Sequence, residues 1–254
     1  MKNVIILFFY SLTFWAQDNY PKDYFRSPLD IPLQLSGNFG ELRSNHFHAG
    51  FDFKTQQKEG LNVYAAAEGY ISRIKISHGG YGKAIYITHP NGYTTVYGHL
   101  QRANGAIENY IKAKQYKEQS YEVEMYLYPT ELPVKKGDVI AFSGNTGGSG
   151  GPHLHFEFRN TKSEEILNPM HFGFKKIIND DRKPVIQGVV AYPLDSTVVN
   201  SSQKPINISF SKQADGSYLG TKVRANGKIG MGINAYDFCT NAYNKNGLYK
   251  VKAY

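Results

Sequence analysis

The sequence predicts a mainly β protein built on an antiparallel sheet, and three observations carry that expectation. Aromatic residues make up 14% of the 254, with 20 Tyr and 15 Phe, the side chains that fit a pleated, half-buried surface. Short runs alternate between apolar and polar positions, the period that places successive side chains on opposite faces of a strand. Turn signals separate those runs: Gly79-Gly80, Asn91-Gly92 and a glycine-rich stretch from Gly144 to Pro152.

Taken along the chain, the predicted strands are Val63 to Ala67, Tyr70 to Ser77, Ala84 to His89, Tyr93 to His99, Asp138 to Ser143 and His153 to Arg159. Between His99 and Val134 the pattern is interrupted. Ala106 to Gln119 reads as a short helix and Tyr121 to Tyr128 as an alternating strand, an insertion at about 101–133 that can border a site, because long loops on a rigid scaffold often carry function. Asp180-Asp181-Arg182-Lys183-Pro184 reads as a linker. Beyond it Val185 to Ala191, Ile206 to Phe210, Lys228 to Tyr236 and Leu248 to Ala253 are candidate strands of an immunoglobulin-like sandwich. Such sandwiches need about 100 residues, and only about 70 follow the linker, so the expectation is an incomplete β segment over 180–254.

Residues 1–16, MKNVIILFFYSLTFWA, combine an early lysine, an apolar run and a small residue at Ala16. The run is too short to cross a bilayer and has the shape of an export signal, with an uncleaved anchor as the alternative. The expected product is an exported protein of the periplasm, cell envelope or extracellular space, with no stable membrane insertion once the signal is removed. Twenty-nine basic against 21 acidic residues give a formal charge of +8, an attraction to polyanions such as a cell-wall polymer. No Lys/Arg block stands out, which argues against a dedicated nucleic-acid site. A single cysteine, Cys239, rules out a disulfide framework and cysteine-ligated zinc. Any metal must therefore sit on His, Asp or Glu.

The histidines supply that chemistry. His48-Ala49-Gly50-Phe51-Asp52 sets a His and an Asp four apart, Tyr97-Gly98-His99-Leu100 ends a strand, and Pro152-His153-Leu154-His155 begins one. Positions i, i+2 and i+4 of a strand share a face, so His153 and His155 project together and His48 can converge with Asp52. Two imidazoles and a carboxylate with one open position is the ligand count of a catalytic zinc site. His46 shares that spacing but reads as a loop histidine, and His78, His89 and His171 read as surface or packing residues. Glu157 continues the His153/His155 face and can orient a histidine or form an ion pair. The glycine run lacks the Gly-Lys-Ser/Thr ending of a phosphate loop and reads instead as a sharp turn that delivers both histidines.

Four stretches in order, NFGELRSNHFHAGFDF, VYAAAEGYI, GGYGKAIYITHPNGYTTVYGHL and VKKGDVIAFSGNTGGSGGPHLHFEF, resemble the lysostaphin/LytM-type zinc endopeptidases across about residues 37–158. The resemblance implies an antiparallel endopeptidase domain of the duplicated hybrid motif type over 17–179. It implies zinc ligands at His48, Asp52 and His155 and catalytic histidines at His99 and His153. It also implies peptide bonds of peptidoglycan stems or cross-bridges as substrate, hydrolysed by a zinc-activated water. Which of the two histidines is base and which stabiliser stays open. The alternative on the same fold is a catalytically silent cell-wall binding or hydrolase-activator protein.

Overall fold

The computed structural model describes residues 20–178, 180–240 and 242–252; the expected export signal lies outside them. Twelve strands precede residue 168 among the described residues: β1 (Leu35–Gly37), β2 (Phe51–Lys54), β3 (Asn62–Tyr64), β4 (Gly69–Ile76), β5 (Lys83–Thr88), β6 (Tyr93–Gly98), β7 (Arg102–Ala103), β8 (Val123–Tyr126), β9 (Pro133–Val134), β10 (Val139–Phe142), β11 (His153–Asn160) and β12 (Ile166–Leu167). Helix α1 (Gly105–Glu118) lies between β7 and β8. Nine strands form one antiparallel sheet in the order β1-β2-β11-β6-β5-β4-β8, with β12 beside β11 and β9 beside β4, and β3-β10-β7 form a second. The mainly β, antiparallel class holds, and each predicted strand before residue 160 has an observed counterpart within a few residues.

The pleat of the large sheet decides where the core goes. Phe53, Phe156, Phe158, Tyr97, Ile85, Ile87, Ile71 and Ile74 are all at or near zero exposure in one cluster. Phe158 stacks on Phe172 with centroids 4.0 Å apart. The alternate positions of β11, His153, His155 and Glu157, point to the other face, where β6 lies alongside with Gly98 opposite His155. Three apolar inward positions, Leu154, Phe156 and Phe158, and three chemistry-bearing positions thus share one strand.

Helix α1 packs Ile107 and Ile111 into the core, and no residue of 101–133 lines the cleft beside Asp52 and His153. The helix lies against β7 and β8, and Ile107 and Ile111 share the core cluster with Val123 and Met125 of β8.

After Pro184 the described strands are β13 (Val185–Pro193), β14 (Val198–Val199), β15 (Ile206–Asn207), β16 (Phe210–Lys212), β17 (Tyr218–Gly220), β18 (Ala225–Asn226) and β19 (Ile229–Tyr236). They make a sheet β15-β13-β19 and two ladders, β14-β18 and β16-β17. The strand expected from Leu248 is not formed: described residues 247–252 carry no strand and pack as irregular chain. No helix among the described residues is long and apolar enough to cross a membrane.

Candidate functional site

His48, Asp52 and His155 come together although the first is more than a hundred residues from the last. Asp52 lies on β2 directly opposite His155 on β11, so the ladder register alone makes them neighbours. His48 arrives by another route than the strand spacing suggested. It sits outside β2, in a loop paired with residues 40 and 41 through Gly40 N–H to the His48 carbonyl and His48 N–H to the Glu41 carbonyl, each 2.8 Å. Gly50 then lets the chain turn into β2 hard against β11, where a Cβ would run into the Phe156 carbonyl and the Glu157 side chain. The sequence expectation of a shared strand face is thus corrected: a turn, rather than the pleat, brings His48 onto Asp52.

The three ligand-capable atoms form a near-equilateral triangle. His48 Nε2 is 3.0 Å from Asp52 Oδ1 and 3.1 Å from His155 Nδ1, and His155 Nδ1 is 3.0 Å from Asp52 Oδ1. Among the described residues this is the group of His, Cys, Asp and Glu side chains close enough to hold a metal ion, and all three members are buried.

The remaining ring nitrogens fix the tautomers. His48 Nδ1 lies 2.7 Å from the Asn38 carbonyl, which can only accept, so Nδ1 carries the proton and Nε2 is left with its lone pair towards the triangle. His155 Nε2 lies 2.8 Å from Glu157 Oε1, so its proton sits there and Nδ1 is free. A hydrogen bond from the outer nitrogen to a carbonyl or carboxylate is the usual support of a metal-bound imidazole. Glu157 in turn accepts from Arg159 Nε at 2.7 Å and from the Tyr81 hydroxyl, and the Tyr81 ring stacks on His155 at 4.7 Å. Glu157 is fully buried. Burial alone would raise its carboxyl, but the His155 hydrogen bond and the charges of His155 and Arg159 outweigh that and bring it down to about 2. Both alternatives for Glu157 in the sequence hold at once, histidine support and ion pair.

The electrostatics fit a cation. Burial opposes a charged Asp52, yet hydrogen bonds from His153, His155 and His48, when these carry a proton on the side facing it, win and hold its carboxyl far below the usual carboxylate range. Burial likewise opposes a charged His155, yet Asp52 and Glu157 raise it to about 9. Three acceptor atoms within hydrogen-bond distance of one another call for positive charge between them, and a divalent ion can take the place of the shared proton. The other Asp52 oxygen, Oδ2, accepts from Arg43 at 3.1 Å, and Arg43 pairs with Glu41 at 2.9 Å.

His99 and His153 flank this triangle. Their ring centroids are 4.6 Å apart, and His153 Nε2 is 3.4 Å from Asp52 Oδ1. His99 follows β6 in the left-handed region at φ 58°, a conformation that costs of order 1–3 kcal/mol and persists where surroundings enforce it. They do so here. His99 N–H donates to the Tyr81 carbonyl and its Nδ1–H to the Thr146 carbonyl, each at 2.8 Å, leaving Nε2 as an acceptor. Burial and the neighbouring His153 lower its pKa to about 4. His153 Nδ1 similarly bonds the Gly151 carbonyl at 2.8 Å.

The glycine run holds these carbonyls in place. Gly147, at φ 74°, stands so close to Gly82 and Gly80 that a Cβ would strike their backbone, and Gly148 N–H donates to the Gly80 carbonyl at 2.8 Å. The turn delivers His153, as expected from the sequence, and also supports His99, which the sequence did not suggest. His46 is exposed and bonds Asn45, His78 stacks on Tyr121, His171 on Tyr20, and His89 is buried between the Glu68 carbonyl and Thr95. None joins the site. Arg43, Asn38 and Thr146 are not singled out by the sequence, and Tyr81 reads there only as core or groove wall; their contributions are a backbone carbonyl or a long-range contact, and neither leaves a motif.

A cleft of about 710 Å³ opens beside Asp52 and His153, with Arg43, Lys54 and Tyr243 on its walls.

Comparison with known proteins gives a family match for the part of the chain that holds the site. Residues 46–117 and 120–169 match peptidase family M23. An uncharacterized metalloprotease of Haemophilus influenzae is 34% identical over 143 residues, 54% of this chain and 25% of the relative. The DD-carboxypeptidase/endopeptidase Mpg of Neisseria meningitidis is 36% identical over 134 residues, 51% of this chain and 25% of that protein. Peptidoglycan DD-endopeptidase ShyC of Vibrio cholerae is 27% identical over 189 residues, covering 72% of this chain and 35% of its own length. The chain spans about a quarter to a third of the length of these relatives. Among solved structures, the lysostaphin catalytic domain of Staphylococcus simulans is 27% identical, covers 61% of this chain and 92% of its own, and superposes with a TM-score of 0.37. Through residues 46–169, with its buried His-Asp-His cluster at the heart of the matched segment, the chain belongs to peptidase family M23.

Proposed function

We propose that this protein is an exported zinc metalloendopeptidase that hydrolyses peptide bonds in the stem or cross-bridge peptides of peptidoglycan. The observation that carries the reading is the buried triangle of His48, Asp52 and His155 with both imidazole tautomers set for ligation and two further histidines beside it. The names of the Neisseria and Vibrio relatives, a DD-carboxypeptidase/endopeptidase and a peptidoglycan DD-endopeptidase, support the substrate class, as does a basic chain drawn to an anionic wall.

In this reading His48, Asp52 and His155 would hold the ion, offering Nε2, Oδ1 and Nδ1. Zinc, when bound there, would polarise the scissile carbonyl and lower the pKa of its water towards neutrality. His99, neutral at neutral pH with its Nε2 free, accepts the proton of the attacking water or aligns it. His153 steadies negative charge developing on the carbonyl oxygen, or exchanges that role with His99. Residues 1–16 are the export signal, 17–179 the enzyme part with its insertion, and 180–254 a trailing sandwich-like β segment. The complete set of five side chains favours the enzyme over a silent wall-binding protein, since binding alone needs neither His99 nor His153.

The test is metal analysis of the purified protein together with release of soluble fragments from purified sacculi, with and without chelator. About one zinc per chain and chelator-sensitive release are expected. Zinc binding without release from sacculi or cross-linked muropeptides would overturn the endopeptidase in favour of the silent protein.

A further inference from the structure

The loop that follows β19 folds back on the metal-site half of the molecule. Asp237 and Asn246 close it with two backbone hydrogen bonds of 2.9 and 2.8 Å. Inside it Cys239 and Ala242 are buried and join the main core, and Asn246 Nδ2 donates to Cys239 Sγ at 3.4 Å. Three hydrogen bonds tie its outer side to the stretch before His48. Asn244 Nδ2 donates to the Leu35 carbonyl at 3.2 Å, Gly247 N–H to Glu41 Oε1 at 3.0 Å, and Asn38 Nδ2 to the Gly247 carbonyl at 2.8 Å.

Those anchors are the residues that hold the site. The Asn38 carbonyl fixes the His48 tautomer, and Glu41 pairs with Arg43, which bonds Asp52. Two short relays therefore run from Gly247 to two of the three ligand side chains. Tyr243, within this closed loop, is 97% exposed, yet it stands on the wall of the cleft that also contains Asp52, His153 and Lys54. A solitary exposed aromatic is ordinary. One carried on a loop with a closed base and a buried inner side, and lining the same cleft as Asp52 and His153, is an aromatic surface held in place for contact.

We propose that the loop residues 237–240 and 242–247 are a working part of the active site, bracing the His48 stretch and presenting Tyr243 as a substrate-contacting wall for the peptide. The proposal rests on the endopeptidase reading for the nature of the ligand. Tyr243 packs against the bound peptide without taking part in bond cleavage, and Asn38 acts through His48 as a positioning residue.

The experiment uses the full chain loaded with zinc and a soluble cross-linked muropeptide. Tyr243→Ala is expected to raise KM roughly five- to tenfold, the loss of one aromatic contact, with kcat and zinc Kd within twofold of the parent. Tyr243→Phe restores KM, because the ring face makes the contact. Asn38→Ala keeps the carbonyl on His48 but frees it from Gly247, and zinc Kd, read by competition with a chromophoric chelator, is expected to rise about tenfold. An unchanged KM in Tyr243→Ala overturns the wall, and an unchanged zinc Kd in Asn38→Ala overturns the brace. If the parent protein does not cleave the muropeptide at all, the endopeptidase reading fails by itself. The brace is then still decided by zinc Kd, and the wall by whether Tyr243→Ala weakens equilibrium binding of the same muropeptide.

Discussion

His155 and Glu157 stand two positions apart on one face of β11, and the Nε2–H of the first donates to Oε1 of the second at 2.8 Å. This bond decides which nitrogen of His155 is free to ligate. Glu157 is also held by Arg159 and Tyr81, so the carboxylate is locked and cannot follow the ring if it rotates.

Glu157→Gln keeps the size of the side chain but lets its amide present a donor to His155, and it removes the charge that Arg159 neutralises. Zinc affinity should fall by about 10- to 100-fold, the usual cost of losing such an outer partner. A chelator-competition titration measures it. An affinity equal to the parent's would mean that Glu157 serves only its ion pair with Arg159.

Gly50→Ala tests the turn that carries His48 to Asp52. The added Cβ meets the Phe156 carbonyl, a backbone atom of the central strand β11 that cannot swing aside. The β2 ladder must shift, at a cost on the order of 2 kcal/mol or more. Thermal unfolding should show a lowered midpoint and zinc binding should weaken with it. A fully stable, zinc-binding variant would show that the approach of the two strands is not needed for the site.

How far the site was legible follows from where each part comes from. His153 and His155 lie on a strand whose alternation is written in the sequence, so their shared face could be read directly; Asp52, for which no strand is predicted, is set beside them in the sequence only by the resemblance. His48 could be paired with Asp52 only by spacing, and the reason given, a common strand face, was wrong because the turn at Gly50 is set by the approach of β11. Asn38 and Thr146 act through backbone carbonyls, which any residue type supplies, so no motif could mark them. The insertion was readable as a helix but not in its place, since its docking depends on which sheet edge is left to cover Ile107 and Ile111. Past residue 184 the two long strands β13 and β19 are half exposed and the five others run only two or three residues, so the alternation is weak, and Leu248 onward, expected as a strand, forms none among the described residues.

His89 makes stability depend on pH independently of the metal cluster. It is buried against Phe25, between the Glu68 carbonyl and Thr95, and burial lowers its pKa from 6.5 to about 4, against a smaller opposing effect of Glu68. The folded protein keeps it neutral while the unfolded chain takes up a proton first as the pH falls. Its contribution is therefore complete above about pH 6.5 and is lost between there and about pH 4, amounting to roughly 3 kcal/mol at about 1.36 kcal/mol per pH unit. His89→Gln retains a donor for the Glu68 carbonyl and does not titrate. With chelator present throughout, so that metal loss does not enter, the melting temperature of the parent should drop more between pH 7 and pH 4.5 than that of the variant. Parallel pH profiles would show that another group carries the acid sensitivity.

The last prediction divides holding the ion from using it. His155 Nδ1 lies within 3.1 Å of both other members of the triangle, whereas His153 touches it only through Asp52 at 3.4 Å. His48→Ala, Asp52→Ala and His155→Ala each leave two ligands, too few to retain zinc against water and chelator, so metal and activity should go together. His99→Ala and His153→Ala should keep close to one zinc per chain and a folded circular dichroism spectrum. Their turnover should fall by ~10² to 10⁴, the usual worth of a positioned acid–base or charge-stabilising group. The discriminating pair is the two histidines on one face of β11. If His153→Ala loses the zinc and His155→Ala keeps it, the ligand and the catalyst have been assigned the wrong way round. The Glu157 bond would then orient a catalytic base instead of a ligand, and Glu157→Gln would change turnover and leave zinc affinity alone.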